Sequence, residues 1–111
     1  MKYSESLKKN RDFRLVYKEG KSCANKYLVM YIRENHSDVN RLGISVSKKV
    51  GNSIVRHRIT RLIRESYRLQ EEHFKCGWDL VVIARAGAKG KKYREIESAL
   101  IHLGTLHELY I

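Results

Sequence analysis

The chain has 111 residues, 42% of them apolar, a length that fits one domain with one modest core and argues against two. Twenty-three Lys and Arg against twelve Asp and Glu give a formal net charge of +11, far more than solubility requires, which favours a polyanionic partner. The sequence contains neither an apolar run long enough to cross a membrane nor an apolar stretch typical of a secretory signal. We therefore expect a soluble, cytoplasmic protein that does not enter a membrane.

The positive charge is concentrated in two blocks. Residues 1–33 carry nine basic and three acidic side chains, residues 48–68 carry seven and one, and residues 69–111 carry six of each. The chain has no proline and no Ser- or Gly-rich stretch that could serve as a linker. We expect residues 1–111 to form one domain.

Residues 10–20 predict a short helix. Phe13, Val16 and Tyr17 recur at helical spacing, with Asn10 as N-cap and Gly20 just beyond the C-terminus.

Two alternating segments predict strands. Residues 25–33 place Leu28, Met30 and Ile32 on one face, and Tyr27, Val29, Tyr31 and Arg33 on the other. A break near residues 23–25 would divide this strand in two. Residues 41–47 alternate again, with Leu42, Ile44 and Val46 directed inward, and the polar stretch 34–40 predicts a hairpin loop. The two strands are therefore expected to pair antiparallel.

A longer helix is predicted from residues 51–53, which supply turn and cap chemistry, to about His73. One arc of this helix is mostly apolar: Val55, Ile59, Leu62, Ile63, Ser66 and Leu69. The opposite arc is basic, with two further arginines at its margins: His57, Arg61, Arg64 and Arg68, flanked by Arg56 and Arg58.

The last third of the chain predicts a strand, a basic loop and a helix. Residues 78–86 are mostly apolar, which suits an internal strand covered on both faces. The loop AGAKGKK follows, and an amphipathic helix begins at Lys92. The predicted order is α-β-β(-β)-α-β-α, an α+β fold.

Motifs for catalysis and metal binding are missing. The five histidines include no pair at i, i+4, and the chain has no HExxH, CxxC, GxSxG, P-loop or GxGxxG spacing. We predict no catalytic residue and no metal ligand on this polypeptide.

The basic helix instead predicts nucleic-acid binding. From Lys48 to Arg68 only Glu65 offsets seven cations, whereas a solvated helix face usually mixes the two signs. Five of the seven are arginines, whose planar guanidinium suits bidentate contact with phosphate. The helix N-terminus beside Lys48 and Lys49 adds backbone donors for a phosphate.

Aromatic residues suggest a second contact surface. Phe13 and Tyr17 lie one helical turn apart, and Tyr27 and Tyr31 are predicted to share a strand face with Arg33. Rings beside cations bind single-stranded RNA by stacking on its bases. The alternative is that these rings only fill the interface between helix and sheet, and the sequence leaves both possibilities open.

The run LGISVSKKVGNSIVRHRITRLIRE, residues 42–65, resembles the signature of the bacterial ribonuclease P protein subunit, in which KKxGN and an Arg-Asn-Arg element open a helix. LKKNRDFRLVYKEGKS, ANKYLVMY and DLVVIARAGA resemble further segments of that family in order, so the likeness spans nearly the whole chain. Two positions depart from the pattern. His57 replaces the central Asn, and Thr60 replaces a frequent basic residue.

The resemblance implies a two-layer α/β sandwich with a central cleft and a left-handed β-α-β crossover. It also implies a ribonuclease P holoenzyme, an RNA endonuclease that removes the 5′ leader of precursor tRNA. In that family the RNA subunit cleaves the phosphodiester with Mg²⁺, the protein assists, and no obligate protein partner is implied.

The resemblance further implies two sets of site residues. Phe13, Tyr17 and Tyr31 correspond to the cleft that contacts the leader. The residues corresponding to the surface that binds the catalytic RNA are Lys48, Lys49, Asn52, Arg56, His57, Arg58, Arg61, Arg64 and Arg68.

The competing interpretations are a ribosomal or other structured-RNA-binding protein, a DNA-reading helix, and a nuclease that acts without RNA.

Overall fold

The computed structural model describes all 111 residues, which form a five-stranded sheet and three helices. The strands are β1 (Ser4–Ser6), β2 (Lys21–Ala24), β3 (Leu28–Glu34), β4 (Asn40–Ser45) and β5 (Trp78–Ala84). The helices are α1 (Asn10–Glu19), α2 (Ser53–Gln70) and α3 (Tyr93–Leu106), with short 3₁₀ turns at Glu71–His73 and Ala86–Ala88. No helix is long and apolar enough to cross a membrane.

β5 is the central strand of the sheet, whose order is β1-β4-β5-β3-β2. It pairs antiparallel with β3 and parallel with β4, and Leu80, Val81 and Val82 are fully buried, as the prediction of an internal strand required. The predicted antiparallel hairpin between β3 and β4 is wrong, because β5 lies between them. A strand that is apolar on both faces is most stable where neighbours cover both faces and both edges.

Helices cover both faces of the sheet. α2 and α3 pack with the sheet around one core of 18 buried residues, while α1 packs on the opposite face, where Val16 meets Leu7 and Val81. The predicted α+β fold is confirmed, and β4-α2-β5 forms a β-α-β crossover as predicted, but helices on both faces make three layers where two were predicted. The sequence did not predict on which face α1 lies.

The buried arc of α2 is rotated from the prediction. Ile59, Ile63 and Ser66 are fully buried as expected, but Leu69 is 50% exposed. Tyr67 is fully buried in its place, which the sequence did not predict. Its hydroxyl pairs with the Ser4 hydroxyl and accepts a hydrogen bond from the Asn40 amide. A buried tyrosine requires such partners, and here they come from β1 and β4.

β1 is a short parallel edge strand that the sequence did not predict, because the segment SES has no apolar alternation. The carboxylate of Glu71 accepts hydrogen bonds from the backbone amides of Lys2 and Tyr3 at 2.8 and 3.1 Å. The residues just before β1 are therefore held by Glu71, which directly follows the C-terminal end of α2.

Candidate nucleic-acid interface

The outer face of α2 carries cations that no carboxylate neutralises. His57, Arg61 and Arg64 are exposed, as predicted, and neither arginine takes part in an ion pair. Two unpaired guanidinium groups one turn apart on an exposed helix face can each bind a phosphate in bidentate fashion. The geometry agrees with the binding chemistry predicted for this face.

Arg68 differs from the other cations of α2, because it already has a partner. Its guanidinium donates two hydrogen bonds to the carboxylate of Glu65, the only acidic residue between Lys48 and Arg68. Hydrogen bonding to Arg68 lowers the pKa of Glu65, so this carboxylate stays ionised. Glu65 therefore offsets Arg68 and leaves Arg61 and Arg64 uncompensated.

The two arginines at the margins of the arc are half-buried. The Nη2 group of Arg58 donates to the backbone oxygen of Lys91 at 2.8 Å, which ties α2 to the loop between β5 and α3. The Nε group of Arg56 is buried without a partner. Arg58 thus contributes to the fold as well as to the charge of the surface.

The first turn of α2 extends the basic face. Asn52 caps the helix by accepting a hydrogen bond from the Val55 amide at 3.0 Å, as predicted. The first turn has no acidic side chain, and Lys48 and Lys49 are exposed just before it. The partial positive charge of the helix end therefore adds to the charge of both lysines.

Thr60 does not replace the missing cation of the family pattern. Its hydroxyl donates to the backbone oxygen of Arg56 at 2.9 Å, a bond within the helix.

A groove of about 520 Å³ runs between α2 and the start of α3. Three of its six lining residues are arginines; the full lining is Arg58, Arg61, Leu62, Arg64, Glu65 and Tyr93. Burial and a hydrogen bond to Glu97 raise the pKa of Tyr93 to about 12, so its hydroxyl stays neutral. The groove therefore presents mainly positive charge.

Phe13, Tyr17 and Tyr31 come together as predicted. The rings of Phe13 and Tyr17 are 6.4 Å apart, and Tyr17 meets Tyr31 edge to face at 5.1 Å. Tyr17 is 37% exposed, whereas Phe13 and Tyr31 are half-buried. Phe13 and Tyr31 therefore contribute to packing, and Tyr17 is the most exposed of the three rings.

The ring cluster borders a cleft of about 380 Å³ lined by Asn10, Phe13, Arg14, Tyr17, Ile44 and Ser45. β1 pairs with β4 only as far as Leu42, so residues 43–45 of β4 have no strand on that side. Gly43 is required here, because a Cβ atom would lie 2.6 Å from the Phe13 ring. The cleft therefore combines exposed ring surface, an open strand edge and the cation of Arg14.

Tyr27 does not belong to the ring cluster, and its predicted placement beside Tyr31 is wrong. β3 begins at Leu28, and Tyr27 packs against the core on the α2 and α3 face. The Nζ atom of Lys91 lies 5.4 Å from the centre of its ring. The turn before β3, whose Asn25 side chain accepts from the Tyr27 and Leu28 amides, breaks the alternation of the strand.

The two predicted groups of site residues lie on opposite faces of the sheet. The rings pack with Val81 on the α1 face, and α2 packs on the other face. They are joined at the end of β4, where the chain leads from Ser45 beside the cleft to Lys48 and Lys49 before α2. Along the chain, only Val46 and Ser47 separate Ser45 of the cleft from Lys48.

Comparison with known proteins decides which family this arrangement belongs to. The Ribonuclease P family model matches residues 1–107. The chain belongs to the ribonuclease P protein family. It is 65% identical to the ribonuclease P protein component of Lachnoclostridium phytofermentans over 106 residues, which cover 96% of this chain and 91% of the relative.

Solved structures of the ribonuclease P protein family share the fold. The Staphylococcus aureus RNase P protein superposes with a TM-score of 0.89 at 39% identity, covering 97% of this chain and 99% of the other. The Thermotoga maritima RNase P protein gives a TM-score of 0.84 at 35% identity, covering 91% and 96%. As a member of this family, the chain is a subunit of a tRNA-processing ribonuclease and partners ribonuclease P RNA.

Proposed function

We propose that α2 of this ribonuclease P protein binds the catalytic RNA through phosphate contacts. The observation that carries the proposal is the uncompensated pair Arg61 and Arg64 on an exposed helix face, continuous with Lys48, Lys49 and the N-terminus of α2. Cations arranged in this way bind RNA mainly through release of counterions from its phosphates.

The cleft beside α1 is proposed to hold the single-stranded 5′ leader of precursor tRNA. Tyr17 supplies an accessible ring for a base, and Arg14 supplies a cation for the backbone. Stacking on rings beside cations does not require a particular base sequence, which suits a leader that differs between tRNAs.

In this proposal the chain binds and positions RNA, and the RNA subunit carries out the cleavage. Mg²⁺ would supply Lewis-acid stabilisation and an activated water at the cleaved phosphodiester. The chain has no group of three or more His, Cys, Asp or Glu side chains that could hold a metal ion. We assign the metal to the RNA and precursor tRNA.

The test compares Arg61→Ala/Arg64→Ala with the control Lys18→Ala/Lys75→Ala, which removes the same charge from exposed positions that line neither the groove beside α2 nor the cleft. For wild type, contact with about six to ten phosphates predicts an affinity loss of about 10³ to 10⁵ between 50 and 200 mM salt. The α2 variant should bind ribonuclease P RNA more weakly with a shallower salt dependence, while the control matches wild type. Equal affinities for both variants contradict the proposal.

A second measurement separates the competing classes. The RNA that copurifies with the protein should be ribonuclease P RNA, and that RNA alone should cleave precursor tRNA at high Mg²⁺. Ribosomal RNA as the main copurifying species favours the structured-RNA-binding alternative. Cleavage by the protein without RNA favours the protein nuclease.

A further inference from the structure

The loop between β5 and α3 forms a second concentration of positive charge, separate from the outer face of α2. Residues 85–95 carry five basic side chains and one acidic side chain. Lys26, in the turn before β3, lies with Arg94 along a groove of about 420 Å³ beside this loop. We call Lys26, Lys89, Lys91, Lys92 and Arg94 the loop patch.

The loop patch is almost free of neutralising partners. Within it, only Lys91 approaches a carboxylate, with its Nζ atom 4.0 Å from Oε2 of Glu95. Lys26, Lys89, Lys92 and Arg94 are exposed and take part in no ion pair. Four unpaired cations on one small surface repel one another, and a polyanion relieves that repulsion.

The backbone beneath the loop patch is held in one conformation. The Arg85 amide donates to the Tyr27 oxygen at 2.8 Å, and the Ala88 amide donates to the Arg85 oxygen at 2.9 Å. Ala88 is fully buried, and Gly90, with a φ of 77°, completes the turn. The lysines therefore project from a fixed frame, which reduces the entropy lost when they bind a phosphate chain.

The loop patch is continuous with the RNA face of α2. Arg58 donates to the backbone oxygen of Lys91 at 2.8 Å, and Tyr93 closes the groove that holds Arg58, Arg61 and Arg64. Three acidic side chains lie near this connection: Glu65 lines the groove, Glu97 accepts a hydrogen bond from Tyr93, and Glu95 approaches Lys91.

We infer that the loop patch is a second RNA-binding surface of this chain, which contacts the backbone of the same folded RNA that α2 binds. The inference rests on the proposed function of α2. Phosphate is the expected ligand, because both tyrosines in this region are half-buried: Tyr27 has the Lys91 ammonium near its ring, and the hydroxyl of Tyr93 is bound to Glu97. Contacts of this kind strengthen binding without reading base sequence.

The test is the salt dependence of binding between ribonuclease P RNA and Lys89→Ala/Lys92→Ala/Arg94→Ala. The control is Lys18→Ala/Lys21→Ala/Lys75→Ala, which removes the same charge at exposed positions that carry no ion pair. Each lost phosphate contact should lower the slope of log K against log salt by about 0.9, so the loop variant should lose about 2 to 3 in slope. The control should retain the wild-type slope.

Five outcomes are informative. Loss of slope with an unchanged melting temperature supports the loop patch, and loss of precursor tRNA affinity in proportion to the lost RNA affinity agrees with a sequence-independent contact. A slope equal to that of the control overturns the proposal. It is also overturned if the loop variant keeps the wild-type RNA affinity but releases an acidic protein from the holoenzyme. If the loop variant weakens binding but Arg61→Ala/Arg64→Ala does not, the proposed role of α2 is contradicted. The role of the loop patch as an RNA-binding surface is then still supported.

Discussion

Arg41 holds the buried carboxylate of Asp79 through two hydrogen bonds, from Nε to Oδ1 at 2.8 Å and from Nη2 to Oδ2 at 2.7 Å. Asn35 donates a third hydrogen bond to Oδ1 of Asp79 at 3.0 Å. Arg41 also reaches the carboxylate of Asp12 at 3.5 Å and thereby links α1 to the sheet. Helix α1, which carries Phe13 and Tyr17, is therefore held on the sheet by an ion pair as well as by apolar packing.

Asp79 should make stability depend on pH. Burial by itself raises the pKa of Asp79, but hydrogen bonds from Arg41 and Asn35 outweigh burial and hold the pKa below its ordinary value of 3.8. A carboxyl group with a lowered pKa in the folded state stabilises the fold fully above its unfolded pKa. That contribution disappears as the pH falls through the lowered value.

Asp79→Asn should lower the free energy of unfolding by about 1 to 3 kcal/mol at pH 7, because donors on Arg41 and Asn35 lose their charged acceptor. The difference from wild type should shrink as the pH falls below about 4, which urea unfolding at several pH values measures. Asp38→Asn, at an exposed position without an ion pair, is the control. A constant difference down to the lowest pH contradicts the role of the carboxylate.

Of the three rings, Tyr17 should be the one whose loss weakens leader binding more than it lowers the stability of the fold. Tyr17→Ala should weaken holoenzyme binding of leader-bearing precursor tRNA by about 1 to 3 kcal/mol, the usual worth of one stacked base. Binding of mature tRNA should stay near wild type. Tyr3, which is 56% exposed and lies outside the cleft, supplies the control variant Tyr3→Ala. An unchanged ratio of the two affinities together with a much lower melting temperature shows that the ring only packs.

The half-buried Tyr31 provides a comparison between stacking and packing. Tyr31→Ala should lower the melting temperature as well as leader affinity, because the ring packs against α1 and also touches Tyr17. Truncation of a core ring to Ala lowers the free energy of unfolding by about 3 to 5 kcal/mol. Because Tyr31 is only partly buried, its truncation should lower the free energy of unfolding by less.

Gly43 should be coupled energetically to Phe13. A Cβ atom at Gly43 would lie 2.6 Å from Cζ and 2.8 Å from Cε1 of Phe13, so Gly43→Ala should destabilise the fold by about 1 to 3 kcal/mol. Phe13→Leu in the same chain removes the atoms that clash. The double variant should therefore be more stable than the sum of the single effects, by at least about 0.5 kcal/mol in a double-mutant cycle. Additive effects show that the two residues do not press on each other.

Arg58 should matter for stability where Arg61 does not. Arg58→Ala removes the hydrogen bond to the Lys91 oxygen and should lower the free energy of unfolding by about 1 kcal/mol. Arg61→Ala, at an exposed position without a partner, should leave it unchanged within about 0.5 kcal/mol. Denaturant unfolding tests both, and faster amide exchange in residues 89–92 of the Arg58 variant locates the loss. Equal stability of the two variants contradicts the structural role of Arg58.

The sequence by itself was enough to predict that His57, Arg61 and Arg64 of α2 face solvent and that β5 is internal. Both predictions depend on local periodicity, since the spacing of apolar residues shows which face of an element must be buried. Residues 51–53 were predicted to supply the cap of α2, and Asn52 does so, whereas the predicted N-cap at Asn10 is wrong, because α1 begins at Asn10 and Lys9 precedes it. The meeting of Phe13, Tyr17 and Tyr31 agrees with the residues assigned to the cleft from the family resemblance.

Only the tertiary structure decided which surfaces meet. Periodicity shows that a face is buried but not what covers it, so the insertion of β5 between β3 and β4 and the pairing of β1 with β4 were missed. Tyr67 replaced Leu69 in the core because Ser4 and Asn40, both distant in sequence, supply partners for its hydroxyl. The contact between the loop patch and the outer face of α2 was also decided by the tertiary structure, because the hydrogen bond from Arg58 to Lys91 connects residues 33 positions apart.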